Sequence, residues 1–317
     1  MRRYVKITGA VINPDIVTLD NKNVAIYGRA GAQISRTTNN EVLAIKGTSE
    51  VTVTDLEIVG NTGSGDKDCV EVFETASVTM TRVNIHNHGI AGIGLADSAK
   101  LMLLDSQVHD NAKEGVKATG GTLELQRSSV YVNRGTAGVF TMGASMVKID
   151  SSVITRNTGT NGGVSITGPF SIKNSIISGN GDTATVVGGL TLSSTGTATF
   201  EFNTVAENIT AGIDLGMSCL NQLDVSNSIF TANAINGCNV TYSLVDNTTT
   251  NPGMGNMMGM PTFLNTDTSN PLGPTFYRIS GTSSARDMAN PAATLDIDID
   301  GQKRDDIRKD MGADEFR

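Results

Sequence analysis

Short apolar pairs recur at a fixed interval along most of the chain, and this repeat limits the possible folds more than any other feature. The clearest pairs follow one another at a constant spacing of 23 residues: Val70/Val72, Ile93/Leu95, Val116/Ala118 and Val139/Thr141. The series continues with looser spacing at Val164/Ile166, Leu190/Leu192, Ile213/Leu215 and Cys238/Val240. A repeat this short cannot bury its own apolar face, so the pattern indicates a solenoid in which each repeat packs on its neighbours.

Each repeat contains two further strands with the period-2 alternation of β-structure. The second strand carries Val51/Val53, Val78/Met80, Leu101/Leu103, Leu123/Leu125, Val147/Ile149, Phe170/Ile172, Phe200/Phe202 and Leu223/Val225. The third carries Leu56/Ile58, Val83/Ile85, Val108, Val130, Val153, Ile176 and Ile229. We therefore predict an all-β fold, a right-handed single-stranded parallel β-helix of about ten coils with three strands each, over residues 1–245. Residues 246–317 lose the period and are predicted to form an irregular C-terminal segment that packs on the last coils.

An asparagine closes the third strand of most repeats. The positions are Asn61, Asn87, Asn111, Asn133, Asn157, Asn180, Asn208 and Asn233. Asn tolerates left-handed backbone, and its amide can bond to the coils on either side. We interpret the series as a structural ladder.

Charge and hydropathy narrow the classes of partner. The formal net charge is −8 and the pI is about 4.9, which opposes nucleic-acid binding because that binding depends on clustered Lys and Arg. The sequence has no apolar run of about 18 residues, so we expect no membrane span. No apolar core follows Met1-Arg2-Arg3, so no export signal is predicted in this chain.

The three cysteines are Cys69, Cys219 and Cys238. Their odd number and the lack of metal-ligand spacing predict buried free thiols rather than a disulfide framework or a zinc site. A bridge between Cys219 and Cys238 stays open as the alternative.

The end of the chain resembles a known closing pattern. Residues 296–304 read DIDIDGQKR and residues 310–316 read DMGADEF. They are similar to the D-x-D-G-x-x-R and D-[IM]-G-A-x-E-[FY] motifs that end many bacterial right-handed β-helix proteins of the choice-of-anchor type. The resemblance covers the last 22 residues. It implies an extracellular or cell-envelope protein of a bacterium, in a family whose members mostly have no assigned activity.

The same tail begins like a calcium loop. Asp296, Asp298 and Asp300 precede Gly301 with the spacing D-x-D-x-D-G, but Ile307 stands where a bidentate Glu is needed. We favour a structural clasp in which Asp298 or Asp300 pairs with Arg304, and keep calcium as the alternative. No other cofactor is predicted.

An active site on the solenoid surface would concentrate charged residues along one row of outward side chains. The first strands present Glu71, Gly94, Lys117, Phe140, Ser165, Thr191, Asp214 and Asn239, and the second strands present Thr52, Thr79, Met102, Glu124, Lys148, Ser171, Glu201 and Asp224. Neither row concentrates one sign of charge, which favours a solvated face.

The better catalytic candidates lie where third strands turn into first strands, in coils three to six. All three histidines of the chain are there, and the candidates are His86, His88, His109, Asp110, Lys113 and Arg134, beside Asp66, Lys67, Asp68 and Glu114. Stacking of coils predicts that His86 and Asp110 occupy nearly equivalent positions, with His88 one turn position later, which would allow a His/Asp proton-transfer or metal pair.

The regular solenoid, the tail resemblance and the absence of a charged stripe favour a non-catalytic extracellular or cell-surface scaffold, adhesin-like, that binds a polysaccharide or another cell-surface ligand. The alternative is a polysaccharide lyase or glycoside hydrolase acting on an acidic polysaccharide through the histidine region. The chain has no Trp, and of its five Tyr only Tyr131 lies beside that region, which weighs against a sugar cleft. A trimeric fibre is the third interpretation.

Overall fold

The computed structural model describes residues 1–12, 15–38, 40–63, 65–143, 145–194, 196–212, 215–246, 253–305 and 307–317. These residues form strands and no helix, which confirms the all-β prediction. The strands are, in chain order, β1 (Arg3–Ile7), β2 (Ala10–Ile12), β3 (Val17–Asp20), β4 (Asn23–Gly28), β5 (Gln33–Ser35), β6 (Leu43–Lys46), β7 (Glu50–Val59), β8 (Val70–Val72), β9 (Ser77–His86), β10 (Ile93–Leu95), β11 (Lys100–Leu104), β12 (Gln107–His109), β13 (Val116–Ala118), β14 (Thr122–Gln126), β15 (Ser129–Tyr131), β16 (Val139–Thr141), β17 (Met146–Asp150), β18 (Val153–Thr155), β19 (Val164–Thr167), β20 (Phe170–Lys173), β21 (Ile176–Ser178), β22 (Leu190–Ser193), β23 (Ala198–Glu201), β24 (Thr204–Ala206), β25 (Leu215–Leu220), β26 (Asp224–Ser226), β27 (Ile229–Thr231), β28 (Ala234–Asn236), β29 (Asn239–Thr241), β30 (Leu244–Val245) and β31 (Met257–Met258).

The strands stack in parallel as a right-handed β-helix of about nine turns, with three strand positions in each turn. The first row is the ten-stranded sheet β3, β6, β8, β10, β13, β16, β19, β22, β25 and β28. The second row contains β1, β4, β7, β9, β11, β14, β17, β20, β23, β26 and β29, and the third contains β2, β5, β12, β15, β18, β21, β24, β27, β30 and β31. Two long strands, β7 and β9, run through both the second and third rows.

One residue between the second and third rows makes the corner of each coil. Asp55, Arg82, Asp105 and Arg127 hold this position in successive coils with left-handed φ angles of 54°, 51°, 49° and 47°. The side chains alternate in charge, so Arg82 pairs with Asp55 at 2.6 Å and Arg127 with Asp105 at 2.7 Å. These exposed pairs add little stability each, but they favour the observed register of coils.

The core is a column of inward side chains from all three rows. The first- and second-row pairs face inward as predicted through the middle coils. In the third row, Val108 and Val130 face inward, but the next coils continue that row with Ile154 and Ile177. Val153, Ile176 and Ile229, predicted to face the core, therefore lie on the outer side of the third row.

The late coils also depart from the predicted pairs. Leu190 and Leu192 are followed in the first row by Met217 and Cys219, not by Ile213 and Leu215; Ile213 and the outward-predicted Asp214 lie outside the described residues. Val240 pairs with Val225 in the second row. Phe202 occupies the corner position with φ 54° instead of facing the core.

The predicted asparagine ladder is present as a buried column. Each Nδ2 donates to the Oδ1 of the next asparagine, at 2.9 Å for Asn111 to Asn133 and for Asn133 to Asn157, and at 3.0 Å for Asn157 to Asn180. The column continues through Asn208 to Asn233. Asn87 is not part of it. The residue at the ladder position of that coil is His88, whose backbone N–H donates to Asn111 Oδ1 at 3.1 Å.

The C-terminal segment lies on the outer side of the third row in the later coils. Phe276, Tyr277, Ile299 and Ala313 pack on Ile176 and Ala206, and a second group that includes Met311 packs on Phe202 and Ile229. Two faces of these coils are consequently buried, which explains why they carry adjacent apolar residues in the third row.

The sulfur pairing differs from the favoured prediction. Cys219 and Cys238 form a disulfide across 19 residues, and Cys69 is a buried free thiol. The bridge joins the first row to the short final turn, where the period is lost.

Candidate functional site

The predicted histidine cluster divides between two environments. His86 and His109 end β9 and β12 on the outer side of the third row, aligned with each other and with Tyr131 of β15. His88 is buried at the turn. His86 aligns with His109, so Asp110 lies one position beyond the residue equivalent to His86.

The aligned rings form a stack along the solenoid axis. Ring centroids of His86 and His109 lie 4.9 Å apart, and those of His109 and Tyr131 lie 4.6 Å apart. Each ring is held at its edge. His86 Nε2 lies 2.8 Å from Glu57 Oε1, His109 Nδ1 lies 2.6 Å from Asp110 Oδ2, and the Tyr131 hydroxyl donates to Gln107 Oε1 at 2.9 Å.

Burial shifts the pKa of two rings of this stack, His109 and Tyr131. Desolvation lowers the pKa of His109, although the hydrogen bond to Asp110 opposes the shift. Burial also raises the pKa of Tyr131 to about 12. Near neutral pH the His109 imidazole and the Tyr131 phenol are therefore uncharged.

His88 has a structural role. Its Nε2 donates to the carbonyl of Lys67 at 2.8 Å, and Nδ1 is buried with no partner among the described residues. Burial lowers the pKa of His88. A side chain enclosed in the ladder column cannot reach a substrate on the outer surface.

Lys113 and Arg134 are exposed on adjacent turns, where the Arg134 N–H donates to the Lys113 carbonyl at 3.0 Å. Neither the Lys113 nor the Arg134 side chain forms an ion pair with another described residue. The six sequence candidates thus occupy a ring stack, a buried turn and two exposed turns rather than a single site.

A different site lies on the outer side of the first row, in a groove of about 310 Å³ that we call the first-row groove. Its polar lining comes from Lys67, Asp68, Glu71, Asp97 and Lys117. Glu71, Gly94 and Lys117 are consecutive in the row, as the sequence predicted. A side chain at position 94 would collide with the carboxylate of Asp68, so the glycine leaves room for that carboxylate to lie against the strand.

Charge in the first-row groove is interleaved. Lys67 Nζ lies 3.7 Å from Glu71 Oε1, Asp68 Oδ1 accepts from Ala91 N–H at 3.3 Å, and Asp97 Oδ2 accepts from Glu74 N–H at 2.8 Å. Burial raises the pKa of Asp68 and of Glu71, while Lys117 opposes the shift at Asp68 and Lys67 opposes it at Glu71. The groove combines cations for an acidic ligand with carboxylates that can accept hydroxyl groups.

The tail acids gather differently from the calcium prediction. Asp298, Asp300 and Asp314 approach one another, whereas Asp296 pairs with Lys309 at 3.3 Å. The guanidinium of Arg278 lies 2.6 Å from Asp300 and 3.7 Å from Asp314. Asp298 accepts backbone N–H groups of Asp300 and Gln302. A cation already supplied by the chain satisfies most of this cluster, and calcium at Asp296, Asp298 and Asp300 stays a prediction.

The predicted clasp forms with other partners. Arg304 is buried and pairs with Glu315 at 3.3 Å, not with Asp298 or Asp300. It also donates to the carbonyls of Gly312 and Ala313, both at 2.9 Å, and to Asn174 Oδ1 at 3.0 Å. The arginine motif of the tail therefore fixes the tail to the solenoid corner.

The sequence does not predict the first-row groove as a site, although it predicts that Glu71 and Lys117 lie in one outward row. The signal was Gly94, a residue without a side chain between two charged neighbours. Asp68 belongs to the turn before the strand, and only the three-dimensional path of that turn brings its carboxylate over the row.

Comparison with known proteins agrees with the architecture. The family model for the right-handed beta helix region matches residues 8–135 and again residues 108–251. No curated protein matches the chain. The crystal structure of pectate lyase Pel9A superimposes with a TM-score of 0.63 over 99% of this chain and 88% of that chain, at 14% identity. The Dettilon tailspike protein (gp208) matches with a TM-score of 0.27 over 82% of this chain and 61% of that one, at 10% identity.

The pectate lyase likeness concerns the fold alone at that identity, and the tailspike likeness carries no inference. In the part of the chain that the structure describes, no helix has the length and apolarity needed to cross a membrane.

Proposed function

This chain belongs to the family of right-handed β-helix proteins, and from that premise we propose that it is an extracellular or cell-surface bacterial scaffold that binds an acidic polysaccharide without cleaving it. The observation that carries the proposal is the first-row groove. Lys67 and Lys117 offer ammonium groups to an acidic ligand, and Gly94 leaves room for the Asp68 carboxylate between them.

The bonds within the groove favour binding over catalysis. Glu71 is paired with Lys67, Asp68 with the Ala91 amide, and Asp97 with the Glu74 amide. A general acid or base must be free to exchange a proton with substrate. Carboxylates engaged by the protein are better suited to orienting a ligand.

An extracellular setting is supported by the disulfide between Cys219 and Cys238, since disulfides persist in oxidising compartments. The choice-of-anchor tail pattern supports the same location, with attachment to the bacterial envelope as part of the proposal.

Calorimetric titration with polygalacturonate and with alginate tests the proposal. We expect binding that Lys117→Ala weakens about tenfold, the effect of losing one charge-assisted contact. Lys100→Ala, an exposed lysine at the start of β11, is the matched control and should bind like the parent protein. Absence of binding to both polymers, or equal loss in the two variants, contradicts the proposal.

A second candidate is a polysaccharide lyase or glycoside hydrolase acting on an acidic polysaccharide. The observation that favours it is the raised pKa of Asp68 and of Glu71 beside two lysines, because such carboxyl groups can act as general acids or bases. Incubation with the same polymers distinguishes the two. Unsaturated products that absorb in the ultraviolet, or new reducing ends, would favour the enzyme and exclude the non-catalytic scaffold.

A further inference from the structure

The C-terminal segment covers the outer side of the third row along only part of the solenoid. In the later coils it lies beneath the C-terminal segment, with Val153 and Ile176 packed against Phe276 and Ile299. In the earlier coils it is uncovered. A cleft of about 310 Å³, lined by Ser129, Val153, Leu272 and Pro274 among others, marks the boundary.

The uncovered part contains two aligned files of polar side chains. Glu57, Asn84 and Gln107 occupy one register, which continues to the buried Ser129 at the boundary cleft. The ring stack His86, His109 and Tyr131 occupies the other register. Neighbouring coils are about 4.8 Å apart, so the four members of the first file extend over about 14 Å. We call this area the third-row face.

The acids that border the third-row face each have a nitrogen partner. Glu57 contacts His86, and Asp110 contacts His109. Asp55 and Asp105 form two-nitrogen contacts with Arg82 and Arg127, at 2.6 to 3.0 Å. A charged polymer would have to compete with these pairs, whereas an uncharged ligand leaves them intact.

One acceptor on this face has no donor. Asn84 Oδ1 is buried without a hydrogen-bond partner among the described residues. It borders a hollow of about 420 Å³, lined also by Ala30, Gly31, Ala32 and Glu57. Leaving a buried acceptor unsatisfied costs free energy, and a ligand hydroxyl would recover it if the Asn84 amide turned toward the hollow.

The rings contribute their edges rather than their faces, because each face in the middle of the stack covers its neighbour, with interplanar angles of 6° and 10°. Recognition on this face therefore depends on hydrogen bonds from amide, imidazole and phenol groups. A ligand that satisfies several of them needs hydroxyl groups spaced along an extended chain.

We propose that the third-row face binds an uncharged, extended oligosaccharide parallel to the solenoid axis, with the C-terminal segment at Leu272 and Pro274 as the stop at one end. This site is separate from the first-row groove and does not depend on the function assigned to that groove.

The test uses the whole chain and four linear hexasaccharides, cellohexaose, xylohexaose and mannohexaose as neutral probes and hexagalacturonate as the charged comparison. Calorimetry is expected to show binding of at least one neutral probe. Gln107→Ala and Asn84→Ser should each weaken it about tenfold. Gln107 is half-buried and accepts from the Tyr131 hydroxyl, so the Tm of each variant is measured beside its affinity. Lys117→Ala, in the first-row groove, is the matched control and should leave that binding unchanged.

Three results would overturn the proposal. The first is no binding of any neutral probe. The second is neutral-probe binding that survives both Gln107→Ala and Asn84→Ser. The third is neutral-probe binding that Lys117→Ala removes, because the ligand would then lie in the first-row groove.

Discussion

The guanidinium of Arg304 lies 4.3 Å from the centroid of the Phe202 ring. Phe202 occupies the corner position that Asp55, Arg82, Asp105 and Arg127 occupy in earlier coils. The tail thus places its own arginine over the corner row where the alternating ion pairs have ended. Burial lowers the pKa of Arg304, and the carboxylate of Glu315 opposes that shift.

Arg304→Met should detach the tail. The substitution removes the cation that pairs with the buried Glu315 and the guanidinium hydrogen bonds to the carbonyls of Gly312 and Ala313. Breaking a buried pair in this way costs about 3 to 5 kcal/mol. Urea unfolding and limited proteolysis of the tail measure the effect. Arg286→Met is the control, since Arg286 is exposed over Phe316, and it should cost less than about 1 kcal/mol. Equal losses in the two variants would contradict a special role for Arg304.

Asn157→Ala should be strongly destabilising. Asn157 Nδ2 donates to the Val130 carbonyl and to Asn180, and its Oδ1 accepts from Asn133, so the substitution leaves several buried groups unsatisfied. The expected loss in the free energy of unfolding is about 3 kcal/mol. Asn87→Ala is the comparison, because Asn87 is exposed and lies outside the ladder. The backbone of Asn87 is left-handed, so this substitution should cost about 1 kcal/mol through strain alone. A loss at Asn157 no larger than that at Asn87 would refute the ladder argument.

His88→Asn should reduce the sensitivity of the fold to acid. Because the pKa of His88 is lower in the folded chain than the unfolded value of about 6.5, the unfolded chain binds more protons between those two values. Stability is therefore fully present above about pH 6.5 and falls as the pH decreases through the folded pKa. The asparagine found at this position in other coils does not titrate, so the drop in Tm between about pH 7.5 and 5.5 should be smaller in the variant. An identical drop in both proteins would exclude His88 as the cause.

Reduction of the disulfide should loosen the last turn. Cys219 and Cys238 enclose 19 residues of sequence separation, and a loop of this size corresponds to roughly 3 kcal/mol of stabilisation. The double variant Cys219→Ser/Cys238→Ser should lower Tm, and dithiothreitol should lower the Tm of the parent but not of the variant. Cys69→Ala tests the remaining thiol, which is buried and outside the bridge. A parent protein insensitive to reductant would show that the bridge does not contribute.

The coil architecture follows from sequence because it depends on local alternation and on a constant repeat. Residues such as Val70, Ile93 and Val116 are inward in every coil, and one register fixes all their neighbours. The prediction was wrong where a second layer covers the solenoid. Val153 and Ile176 are apolar because the tail packs on them, and their neighbours Ile154 and Ile177 face the core.

The candidate site was less predictable because it depends on turns. The repeat predicts that the three histidines lie in one region. At a turn, a shift of a single position decides whether a side chain faces outward or is buried, and for this reason His86 lies on the outer side of the third row while His88 is buried. The sequence shows two adjacent apolar residues from Val153 onward, and this doubling is the signal that could have located the tail.

The covering of Val153, Ile176 and Ile229 by the tail has a consequence for synthesis on the ribosome. The coils leave the ribosome before residues 253–317, so these three side chains stay exposed to solvent until that segment has been synthesised. A nascent chain at that stage displays an apolar stripe along its later coils, which is the kind of surface that chaperones bind. Residues 253–317 then cover these side chains, and nascent chains that stall before Arg304 would leave them exposed and aggregate.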